Sequence, residues 1–161
     1  MDASRLPTLG PRGEGWVALQ VLLFAGVAAA GLLAGGAWSG PAALVSAAAG
    51  LVLLAAGGFL AVRGLLDLGS SLTPLPRPRD GATLVDSGAY GWCRHPIYGG
   101  LVLAAVGWGL LAASPLAVGL GLLLLGFFDL KSRREEQWLM ERYPDYPAYR
   151  ARTKRLIPYL Y

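Results

Sequence analysis

The sequence predicts an all-α membrane bundle of four transmembrane helices, the last of them extended beyond the bilayer and followed by a C-terminal interfacial segment. Mean hydropathy is +0.49 and only 15% of residues are charged, against about a quarter in soluble domains. The apolar residues are gathered into runs near the roughly 20 residues that a bilayer core demands, rather than recurring at the period of an amphipathic helix or strand. Basic residues, which hold a loop on the cytoplasmic side, are placed one-sidedly. Arg5 and Arg12 precede the first run, Arg63, Arg77, Arg79 and Arg94 lie between the second and third, and Lys131 to Arg155 hold the rest. Both termini are therefore expected in the cytoplasm. A chain of 161 residues has room for one domain.

The first span, about 16–37, opens on Trp16, an interfacial residue type, and contains no charge. A cleaved signal peptide is disfavoured: the run is too long for an h-region, and Asp2 and Glu14 dilute the basic flank. Pro41 suits the first turn of a second span, about 42–66. The short turn between these two predicts a helical hairpin, and Gly31/Gly35 and Gly36/Gly40, at GxxxG spacing, are read as internal packing. Arg63 and Asp67 share a face at the end of the second helix, where an ion pair competes with a plain snorkelling anchor.

Residues 69–95 are the longest polar stretch inside the bundle, and Pro74, Pro76 and Pro78 predict extended backbone across 72–79. This is expected to be a cytoplasmic loop, and a loop of this length is more often functional than idle. His95-Pro96 opens a third span, 96–113; Pro115 follows a turn of a few residues, and a fourth span covers 116–130. The third and fourth must lie antiparallel. With no Gly or Pro between Phe127 and Tyr143, the fourth helix is expected to run on into the cytosol until Pro144 stops it. Residues 131–161 then form a cytoplasmic tail whose tyrosines and bases suit the lipid headgroup zone.

Composition excludes several chemistries. Cys93 is the lone cysteine and His95 the lone histidine, so disulfides, CxxC redox pairs and multi-histidine metal sites are ruled out and no metal is expected. Net charge is only +4, and no nucleic-acid partner is expected. What remains is a convergence of polar groups. Arg94, His95 and Tyr98 begin the third span, and the hairpin geometry faces them toward Arg133, Arg134, Glu135 and Glu136, where the fourth emerges. A helix N-terminus with a fixed arginine favours a carboxylate or phosphate. Glu135 and Glu136 diverge by about 100°, so one can enter a pocket while the other faces solvent or a base. Taken singly, each element is also an ordinary interfacial anchor or wet helix face.

The ordered string is more specific: Leu84-Val85-Asp86-Ser87-Gly88-Ala89-Tyr90, then Arg94-His95-Pro96-Ile97-Tyr98, Glu135-Glu136-Gln137-Trp138-Leu139, Tyr143-Pro144-Asp145-Tyr146-Pro147-Ala148-Tyr149, and Ile157-Pro158. It resembles the isoprenylcysteine carboxyl methyltransferase family, whose wider group includes the phospholipid N-methyltransferases. The resemblance implies a membrane methyltransferase using S-adenosylmethionine, with a hydrophobic or lipid-like acceptor entering between helices. Carried over by position, Tyr90, Arg94, His95, Tyr98, Gly100, Glu135 and Glu136 would line or approach the cofactor site. Arg94, His95 and Glu135 would carry the catalytic roles: Arg94 for the methionine carboxylate, His95 for geometry, and a Glu for ribose or amino group. In-line displacement at a sulfonium methyl needs alignment and water exclusion, with a base (His95 or a Glu) only for an amine or alcohol acceptor. The tail lacks the acidic residue that the eukaryotic enzymes place before the last tyrosine, and the Gly/Ala/Leu-rich style looks bacterial. The expectation is thus an inner-membrane protein acting on a small membrane-resident molecule. A phospholipid amine methyltransferase is the alternative within enzymes, and a membrane scaffold the alternative outside them. A small multidrug-type transporter would need a carboxylate deep in a span, and the core runs carry none. Oligomeric state is left open.

Overall fold

The computed structural model describes residues 7–78 and 81–161; Asp2, Arg5 and Arg79, used above, lie outside them. Among the described residues the fold is all-helical, with α1 (Glu14–Leu33), α2 (Gly40–Leu68) continued by a 3-10 turn (Gly69–Ser71), α3 (Ala89–Trp92), α4 (Pro96–Leu111), α5 (Pro115–Arg142) and α6 (Tyr146–Arg152). Three of these segments are long and apolar enough to cross a membrane: α1, α2 with its 3-10 turn, and α5. At 16 residues α4 is shorter, so its rise of about 24 Å falls below a hydrocarbon core of about 30 Å. The predicted run from the fourth span into the tail is one unbroken helix, α5.

Proline and small polar residues set the helix starts. Pro41 and Pro115 occupy first turns. Ser114 caps α5, accepting from the Ala117 amide at 3.2 Å while its hydroxyl donates to Ala30 O at 2.9 Å, which ties the cap to α1. The first helix ends at Leu33, short of the expected 37, because the chain turns away there. The Gly36 and Ala37 amides donate to Ala112 O and Ala113 O at the far end of α4.

The expected hairpin of the first two helices is not what forms. Among the described residues α1 and α2 do not pack on each other: α2 packs on α4, α4 on α5, and α1 on α5 and α4. The reason lies in the small residues. Gly50, Gly57 and Gly64, at seven-residue spacing on α2, meet Gly107, Gly100 and the Pro96-Ile97 start of α4. Backbone there touches backbone antiparallel, as small residues permit. Gly31 of α1 and Gly35 just beyond it likewise pack internally, against Trp108 and against Ala112 at the end of α4, whereas Gly36 and Gly40 face open space with positive φ. The helices expected as third and fourth, α4 and α5, do pack as the predicted pair.

A Cβ on Gly57 would sit 2.5 Å from Gly100 O and 2.7 Å from the Ala104 amide, whereas one on Gly58 meets nothing within 4 Å. Gly57→Leu is therefore expected to cost roughly 3 kcal/mol or more, because backbone cannot swing aside as a side chain would. Gly58→Leu should be tolerated. Thermal unfolding of both variants in detergent checks the contrast.

Among the described residues two clusters fill the interior. Val27, Val102, Ala105, Leu124, Phe128 and Leu156 join α1, α4, α5 and the tail, and Tyr90, Tyr146 and Tyr149 join α3 to α6. Trp16, Phe24 and Tyr98 add ring contacts to Phe127 and Phe128. Leucines such as Leu22, Leu33, Leu44 and Leu66 stay exposed along α1 and α2, as expected of faces turned to lipid. The tail folds back over the start of α4. The amides of Arg94 and His95 donate to Lys154 O and Arg155 O, both at 2.9 Å, and Leu156 is fully buried.

Candidate active site

Where the tail, the 69–95 loop and the ends of α1, α4 and α5 meet, they enclose a cavity of about 320 Å³, within the range typical of small-molecule sites. Its polar wall includes Tyr90, Arg94, His95, Tyr98, Lys131 and Glu135. Leu65, Ile97 and Leu101 border it with hydrocarbon, Pro74, Pro76 and Pro78 of the loop cover it, and Tyr143, Tyr146 and Tyr149 close the tail side.

Arg94, His95, Tyr98, Lys131 and Glu135 are each held by a partner. Tyr98 OH donates to Glu135 Oε2 at 2.9 Å. Its ring lies between His95 (centroids 5.4 Å, planes 3° apart) and Phe128 (4.7 Å, 16°). Glu135 therefore points into the cavity with one oxygen fixed. His95 bridges the two glutamates, Nδ1 lying 3.8 Å from Glu135 and Nε2 3.3 Å from Glu136.

Glu136 does not border the cavity. Only 2% exposed, it is the hub of a basic cage: Arg94 Nε at 2.8 Å, and Arg150 Nε and Arg155 Nε each at 3.5 Å. Buried charge survives only when so compensated. Arg94 is committed to the same cage, its Nη1 donating to Thr153 O and to Arg150 O at 3.2 Å. Its expected grip on a ligand carboxylate competes with these bonds. Gly100 does not line the cavity either: it is buried against Gly57 and Ala61 of α2, and it serves helix packing. The expected set thus divides. Tyr90, Arg94, His95, Tyr98 and Glu135 come together around the cavity, and Glu136 and Gly100 stand behind it.

The structure adds groups outside the expected set of site residues. Lys131, 1% exposed, sends Nζ to Gln20 Oε1 at 2.6 Å and lies 5.0 Å from the centre of the Tyr98 ring, so a cation stands in the same cavity. Its position one turn before Glu135 was a usable helical signal; Gln20, on α1, offered none. Tyr146 lines the cavity, is 1% exposed, and its hydroxyl has no hydrogen-bond partner among the described residues. A buried orphan hydroxyl is costly unless a ligand meets it. Burial raises the Tyr146, Tyr149 and Tyr90 hydroxyls well above the ordinary tyrosine range, so they stay protonated as donors. Tyr149 OH uses its proton on Tyr90 O at 2.7 Å. Burial pushes the Cys93 thiol up to about 12, and its Sγ–H donates to Leu156 O; it is a structural residue and no nucleophile.

A family model described as phospholipid methyltransferase matches residues 45–146, from early α2 to the start of α6, and so includes the α4 and α5 contributions to the cavity. The chain is similar to the Protein-S-isoprenylcysteine O-methyltransferase of Rattus norvegicus, 30% identical over 117 residues, covering 70% of this chain and 41% of that protein. It is also similar to the protein of the same name in Saccharomyces cerevisiae, 35% identical over 79 residues (48% of this chain, 33% of that one). A third relative is the Cobalt-zinc-cadmium resistance protein CzcN of Cupriavidus metallidurans, 36% identical over 85 residues (51% and 38%). The chain spans 33% to 41% of the length of these relatives. With the family model covering more than half of it, the chain belongs to the phospholipid methyltransferase family, the wider group of membrane methyltransferases to which the isoprenylcysteine enzymes are related.

Proposed function

We propose that the chain is an S-adenosylmethionine-dependent methyltransferase of the membrane, acting on a lipid-like acceptor in the cavity beside Glu135. The observation that carries this reading is the pairing, in one cavity, of a fixed carboxylate and the orphan Tyr146 hydroxyl with an apolar wall of Leu65, Ile97 and Leu101. The polar end fits a nucleoside with an amino group and hydroxyls, and the apolar wall fits a hydrocarbon neighbour. In this reading α4 also crosses the bilayer, enclosed by α2, α5 and α1. The termini and the cavity mouth face the cytoplasm, and α5 leaves the membrane before Glu135.

The donor set fits the cofactor. Glu135 and the Tyr146 hydroxyl would hold its amino or ribose groups. When bound, the cofactor supplies a methyl group on a sulfonium, activated for in-line displacement. The residues supply the rest. The proline-rich loop and the three tyrosines exclude water, and Glu135 offsets positive charge in a site of low dielectric. Lys131 with Gln20 draws a carboxylate or phosphate of the acceptor into line. A carboxylate acceptor needs no base; an amine acceptor would pass its proton to Glu135 or to the His95 ring.

Isothermal titration of the purified protein with S-adenosylhomocysteine tests the function, with a measurable heat expected and its absence overturning the reading. Labelled-cofactor methylation of a fractionated lipid extract then identifies the acceptor class. Lys131→Met is expected to keep S-adenosylhomocysteine affinity within about threefold while lowering transfer to acidic lipids about tenfold or more, the worth of one charge-assisted contact. Equal loss of both would place Lys131 on the cofactor instead.

A further inference from the structure

We propose that Asp67, outside the cavity, is a positioning residue that sets the place of Tyr90 in its wall by capping α3 from the end of α2. The proposal rests on the function given above. The carboxylate of Asp67 faces two ways. Oδ1 accepts from Arg63 Nη2 at 2.9 Å, and Oδ2 accepts from the Ala89 amide at 2.8 Å. Ala89 is the first residue of α3, so its amide has no partner within the helix. Asp67 supplies that acceptor from 22 residues away in sequence, satisfying one of the first-turn amides that a helix cannot pair internally.

The fit requires glycine. Gly88 holds φ +60° and ψ −132°, a conformation that side chains rarely adopt, and a Cβ there would strike the Asp67 carboxylate. Beyond the cap, Tyr90 enters the cavity while its carbonyl accepts from Tyr149 OH. The short helix is thus pinned from both sides, by α2 through Asp67 and by the tail through Tyr149. Arg63 is 43% exposed against 16% for Asp67, so the ion pair is the peripheral half of the arrangement and the amide bond the internal half.

An anchoring ion pair and a cap predict opposite results. The carbonyl of an asparagine can still accept from the Ala89 amide but cannot pair with Arg63 as an anion. Calorimetric titration with S-adenosylhomocysteine is therefore run on the parent, Asp67→Ala, Asp67→Asn, Arg63→Gln and Gly88→Ala, each checked for thermal unfolding. Asp67→Ala and Gly88→Ala are expected to weaken binding about fivefold to tenfold, the worth of one lost cap, while Asp67→Asn and Arg63→Gln stay within about twofold. Binding as weak in Asp67→Asn or Arg63→Gln as in Asp67→Ala overturns the cap in favour of the ion pair. Parent-like binding in Asp67→Ala or Gly88→Ala overturns the positioning role, whatever happens to the melting temperature. Should Asp67→Ala fail to fold, the contrast of Asp67→Asn and Arg63→Gln with Gly88→Ala decides. No heat in the parent overturns the proposed function itself, and this result is distinct from a parent that binds with variants that match it.

Discussion

Exchanging Glu135 for alanine is expected to weaken S-adenosylhomocysteine binding by at least about thirtyfold, some 2 kcal/mol, because a charged hydrogen-bonding group is lost from a buried wall and Tyr98 is left without its acceptor. Calorimetry reads this directly. Glu135→Gln should fall between, since the amide oxygen can still accept from Tyr98 while the charge is gone. Retained affinity in the alanine variant would show that the cavity wall formed by α5 does not meet the cofactor. Glu136→Gln, one residue on, is expected to act chiefly on stability, as its carboxylate is turned into the basic cage and away from the cavity.

The second large effect is on folding. Arg94→Met removes the nearest partner of Glu136, both residues being under 10% exposed, and costs about 3 kcal/mol, because His95, Arg150 and Arg155 stand farther off and compensate the buried carboxylate less well. It also frees the carbonyls of Arg150 and Thr153, which Arg94 binds. Thermal unfolding in detergent should show the largest drop of any single substitution at the cavity. The double variant Arg94→Met with Glu136→Leu should recover part of it, since an apolar pair strands no anion. A double variant no better than Arg94→Met would mean that the loss comes from the tail carbonyls rather than from the ion pair. Arg94→Lys is not a mild change here, because a single ammonium cannot replace a fork that serves a carboxylate and two carbonyls at once.

Much of this was legible in the chain, and the limits have physical causes. Runs of apolar residues placed α1, α2 and α5, because span length is set by bilayer thickness and needs no knowledge of neighbours. The continuation of α5 to Arg142 followed from the absence of a breaker. The string from Tyr90 to Tyr98 and the glutamate pair named the two walls that meet. Which glutamate enters the cavity was not legible: the angle between neighbours on a helix is fixed by geometry, but the rotation of the whole helix is fixed by packing, here by Phe128 and Leu124 in the core. The pairing of α1 with α2 was misjudged for a related reason. A short turn brings two helices near, yet the glycine faces of both find α4, and that complementarity is spread over segments far apart in sequence. Gln20 was missed, and Tyr146, though part of the motif string, was not assigned to the site, because neither residue type is distinctive until a neighbour, or the want of one, is seen.

The return of the tail carries a lesson about what kind of change this protein should tolerate. The stretch 153–155 meets the start of α4 through carbonyl oxygens of Thr153, Lys154 and Arg155, atoms that every amino acid brings alike. Lys154, whose side chain is exposed, can therefore be exchanged freely, yet one residue inserted or deleted between Arg152 and Leu156 would present the wrong oxygens and pull Leu156 from its socket. Here the protein spells by counting, and at Lys154 its lettering is free.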